Sequence, residues 1–106
     1  MAWIYLVTAG VLEVVWAFAM KQSDGFARPW PTAAMAVAMA VSFGCLALAM
    51  RTLPLGTAYT IWTGIGAVGA FLVGLAALGE PASASRILAA GLIGSGLVLM
   101  KLSSPG

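Results

Sequence analysis

The chain has 106 residues, of which 62% are hydrophobic and 8% charged. A globule this small leaves too much of its surface in water to hide that apolar content, so a soluble domain is excluded and an integral membrane protein expected. Five basic and three acidic side chains, with a net charge of +2, give no basis for nucleic-acid binding; the lack of His and the lone Cys45 exclude an internal disulfide framework and a metal cluster.

A spanning helix needs about 20 mostly apolar residues. The first such segment is 2–20, stopping at Lys21. Ala17-Phe18-Ala19 mimics a signal-peptide cleavage site, but no basic residue precedes the apolar run and Glu13 interrupts it, so this segment is expected to stay as a span. A polar turn from Lys21 to Pro31 follows, with Trp30 placed as an interfacial aromatic and Pro31 suited to a helix's first turn. The second span is 32–50. Arg-Thr-Leu-Pro-Leu-Gly (51–56) then turns the chain into a third span, 57–78, which Gly79-Glu80-Pro81 breaks. The fourth span, 84–101, is the shortest, and its terminal charges can snorkel outward. The expected architecture is a single four-helix transmembrane domain over 1–106, all-α, with both termini on one side of the bilayer.

Basic residues then divide almost evenly, Arg51 and Lys101 on one side against Lys21, Arg28 and Arg86 on the other. Loop Lys and Arg normally set orientation, so this near balance barely specifies which way up the chain inserts. Gly66, Ala70 and Gly74 recur every four residues in the third span; Ala90 with Gly94 and Gly91 with Ser95 form small-xxx-small pairs in the fourth. Small residues let membrane helices approach closely. The fourth span has no polar pathway residue, so its stripe, Ala90, Gly91, Gly94 and Ser95, is expected to be a subunit contact; Gly enrichment of membrane helices in general is the plainer explanation.

Chemistry concentrates on Glu13, a carboxylate roughly ten residues from either end of its span. An ionised carboxylate in hydrocarbon is costly and normally faces a partner, a proton or a cation. No basic side chain lies at its depth, so Glu13 is expected to be protonated when empty. Residues three and four apart share a helix face, which places Gly10 and Trp16 beside Glu13 and groups Tyr59, Trp62, Thr63 and Gly66 on the third span. Ser42, near the middle of the second span, lies at the depth of Glu13. The aromatics also suit interfacial anchors, and Ser42 can bond its own helix. A cation arriving at Glu13 must expel the proton, and that competition is the core of antiport. Two such carboxylates, one per subunit, would titrate as a unit. Carboxylate and aromatic faces together suit a weakly hydrated cation: planar guanidinium, or a quaternary ammonium or aromatic cation.

These residues occur in Gly10-Val11-Leu12-Glu13-Val14-Val15-Trp16-Ala17, Lys21 with Gly25-Phe26, Leu53-Pro54-Leu55-Gly56-Thr57-Ala58-Tyr59-Thr60-Ile61-Trp62-Thr63-Gly64-Ile65-Gly66-Ala67, Gly79-Glu80 and Lys101-Leu102. In these motifs the chain resembles the small multidrug resistance family over essentially its whole length, and more closely its guanidinium-exporter branch. The resemblance implies an antiparallel, dual-topology homodimer of the bacterial inner membrane that exchanges protons for guanidinium-type cations by alternating access, without cofactor or enzymatic activity. Glu13 would bind proton or substrate, Ser42 and Trp62 would hydrogen-bond and orient it, Trp16 would line the pocket and Tyr59 would take part in switching. A quaternary-ammonium exporter, and a channel or structural membrane protein, are the competing readings.

Overall fold

The computed structural model describes residues 1–103 and contains four helices: α1 (Ala2–Gln22), α2 (Pro29–Ala49), α3 (Leu55–Ala77) and α4 (Ala84–Leu102). All four are long and apolar enough to cross a membrane. At 1.5 Å per residue, helices of this size reach about 30 Å, the thickness of the hydrocarbon.

The helix starts depart from the sequence expectation at the prolines. α2 begins at Pro29 rather than at 32, because Arg28 is held extended before the proline ring and Pro29 takes the N1 position; Pro31 therefore lies two residues inside. α3 begins at Leu55 rather than 57, directly after Pro54, so Gly56 is helical. α1 runs to Gln22, which brings Lys21 into the last turn, where its charge suits the helix dipole. The first connection is tight. Fully buried Ser23 donates its hydroxyl to the Met20 carbonyl (2.7 Å) and accepts from Phe26 N–H (3.2 Å), while Asp24, Gly25 and Phe26 all take positive φ. Gly79, with φ +65°, ends α3, and Ser83 caps α4 by accepting from Arg86 N–H (3.2 Å).

α1 is central. It packs most extensively on α2 and then on α3, whereas α4 leans on α3 and has no buried residue among those described. The core is Leu6, Ala9, Leu46, Ala49, Leu53, Ala58, Ile61 and Trp62, at one end of the first three helices. Glycines where α1 meets α3 and α3 meets α4 are filled from within the chain. A β-carbon at Gly10 would stand 2.7 Å from Ile65, one at Gly69 would overlap Val14, and one at Gly64 would overlap Leu97 of α4. Gly10 therefore makes room for α3, not open space beside the carboxylate.

Candidate functional site

Glu13 lies on the face of α1 that meets α3, and its carboxylate occupies the place a side chain at Gly66 would take. The absent β-carbon is what lets an ionisable group sit between two closely packed helices. Glu13 Oε1 is buried and has no hydrogen-bond partner among the described residues. One turn earlier on α1, the Ala9 carbonyl accepts from the Ser42 hydroxyl at 2.7 Å, and Ser42 Oγ accepts from Trp62 Nε1 at 3.1 Å. Ser42 is fully buried and Trp62 is 6% exposed. This relay locks α1, α2 and α3 together through one hydroxyl. The geometry differs from the expectation that Ser42 and Trp62 orient the carboxylate: here they bond to each other and to backbone.

Around the relay runs a row of rings. Trp16 meets Phe43 edge-on (centroids 6.5 Å apart), Phe43 meets Trp62 (5.6 Å), and Trp62 meets Tyr59 (5.5 Å). Phe43 joins the expected aromatics although the sequence reading passed over it. It adjoins Ser42 and is the only aromatic in α2 beyond Trp30, a signal available in the sequence. Trp16 Nε1, like Glu13 Oε1, is buried without a partner among the described residues. Thr63 falls outside the cluster. Its hydroxyl donates back to Tyr59 (2.9 Å) and Thr60 (3.1 Å) carbonyls, and the residue lines the α3–α4 groove with Ile93 and Met100.

The arrangement is a buried carboxyl with free acceptor capacity, beside π-faces and a free indole N–H, within helices that cross the membrane. No group of acids, cysteines or histidines among the described residues could hold a metal ion. A family model for the Small Multidrug Resistance protein matches residues 1–93. The chain belongs to the small multidrug resistance family. Among relatives of this family member, the "Guanidinium exporter" of Yersinia pseudotuberculosis serotype I is 56% identical over 104 residues, covering 98% of this chain and 100% of the relative. Proteins of the same name from Citrobacter freundii and Salmonella typhimurium strain LT2 are 54% and 53% identical, each over 98% of this chain and 99% of the relative. Family membership and four spanning helices make this a multi-pass protein of the bacterial inner membrane.

On α4, Ala90 is half-buried and lines the groove against α3. Gly91 and Ser95 are exposed, Gly94 is half-exposed, and a β-carbon at either glycine would meet nothing within 4 Å. Within one chain, then, the small-residue stripe has little to pack against beyond Ala90.

Proposed function

We propose that this protein is a proton-coupled exporter of guanidinium and small guanidinyl cations. The observation that carries the reading is Glu13, whose buried Oε1 lacks a hydrogen-bond donor while Trp16, one turn along α1, begins a row of aromatic rings. Relatives at 53–56% identity bear the name guanidinium exporter, which supports the choice of substrate.

The chemistry follows from the groups present. Glu13 carries a proton when no cation is bound, because hydrocarbon opposes a lone charge. Guanidinium offers paired N–H donors to the carboxylate and two flat faces to aromatic rings. Its binding requires the ionised form, so the proton leaves as the cation arrives. The Ser42 relay acts by fixing the rotation of α1 relative to α2 and α3, and so the direction of Glu13. Trp16 lines the pocket, and Tyr59, half exposed at the end of the row, moves as the site opens. Alternating access follows if two chains pair antiparallel through α4, with Gly91, Gly94 and Ser95 at the seam, so that each end of the dimer presents the same pathway in turn.

The test is transport by the purified protein in liposomes, comparing guanidinium with a tetraalkylammonium ion while counting protons moved. Guanidinium flux coupled to proton counterflow is expected. Preference for the tetraalkylammonium ion would favour a quaternary-ammonium exporter, and guanidinium flux without proton movement would mark a channel.

A further inference from the structure

A second carboxylate lies at the far end of the helix contact that holds Glu13. Gly66, Ala70 and Gly74 form a floor of small residues along α3, and eight residues of helix separate its ends by about 12 Å. Glu13 rests on Gly66 at one end. At the other, the Glu80 side chain folds back from the connection after α3 so that its carboxylate covers Gly74, while Glu80 N–H donates to the Gly74 carbonyl at 3.0 Å. Between them is a cavity of about 180 Å³, lined by Val14, Ala17, Phe18, Ala70, Gly74 and Glu80 among others.

The position is electrostatically unusual. The C-terminal turns of a helix carry partial negative charge, so a carboxylate laid along them is disfavoured unless a cation joins it. The neighbouring basic side chain does not: Arg86 Nη1 donates to the Pro81 carbonyl at 3.1 Å, and its guanidinium stands over the Phe71 ring, 5.6 Å from the centroid. α1 contributes only apolar side chains to the cavity wall. Glu80 is the one charged side chain in the cavity lining, and a carboxylate above low-dielectric walls attracts cations.

We infer that Glu80 is a second cation-binding carboxylate, which captures the guanidinium-class substrate at the mouth of the α1–α3 groove and passes it along the small-residue floor to Glu13. The inference deepens the proposed function and rests on it. The test is guanidinium transport by full-length protein in liposomes over a range of concentrations, for wild type, E80Q, E80D and G74A. E80Q should raise KM about tenfold, with most of the loss in KM rather than kcat. E80D should restore most of it. G74A keeps the charge but puts a methyl group where the carboxylate sits, and should raise KM severalfold. A KM for E80Q within twofold of wild type overturns the inference, as does a normal KM for G74A if E80Q does not accumulate in the membrane. Failure of the wild-type protein itself to move guanidinium would instead sink the underlying function.

Discussion

Gly66 and Glu13 illustrate how one missing β-carbon places a charge-bearing group. Any larger residue at Gly66 would collide with the carboxylate, so Gly66→Ala should abolish guanidinium binding, measured by quenching of tryptophan fluorescence, while four-helix content persists in circular dichroism. Glu13→Gln removes the exchangeable proton, and proton-driven guanidinium flux in liposomes should disappear with it. Ser42 bonds to backbone and to an indole rather than to the carboxylate. Because its hydroxyl accepts from the Trp62 indole and gives the Ala9 carbonyl a second bond beside its helical one, Ser42→Ala leaves the buried indole N–H unpaired. Such a loss costs about 1–3 kcal/mol, so this variant should melt measurably earlier in detergent, and a melting temperature equal to wild type would contradict the relay.

At the scale of elements, α1 and α3 interlock through Gly10 against Ile65, Glu13 over Gly66 and Val14 against Gly69. This close approach relies on small residues because lipid supplies no hydrophobic drive between helices. α4 is the outlier. It packs chiefly on α3, with Lys101 over the Trp3 ring of α1, and no described residue in it is buried, although it is as capable of spanning as the others. A second copy of α4 packed along Gly91, Gly94 and Ser95 would cover it. The proposed pairing predicts a dimer in detergent that Gly94→Lys shifts to monomer, measured by light scattering, while helical content remains.

For the whole molecule, the proposed competition of proton and cation for Glu13 predicts a pH response. At low pH Glu13 is protonated and the cation must displace the proton; at high pH it does not. Guanidinium affinity should thus fall as pH falls, approaching about tenfold per pH unit once most carboxyl groups are protonated. Equilibrium titration across pH checks this directly, and an affinity independent of pH would remove the competition. Arg51 and Lys101 stand against Lys21, Arg28 and Arg86, a near balance of the charges that set orientation, which is what an antiparallel pair would need.

The four spans and the depth of Glu13 were legible in the amino-acid sequence, because hydrocarbon thickness acts on the chain one residue at a time. Apolar length and the placement of charges are one-dimensional properties. The helix starts shifted by two or three residues where Pro29 and Pro54 imposed local geometry that hydropathy does not register. Which side chain meets which was left to the tertiary structure. Helices that are apolar on nearly every face carry little periodic signal for their rotation about their own axes. Packing decided that rotation, turning Gly66 toward Glu13, Ser42 toward Ala9 and Thr63 toward α4, and bringing Phe43 and Glu80 to places that spacing alone did not indicate.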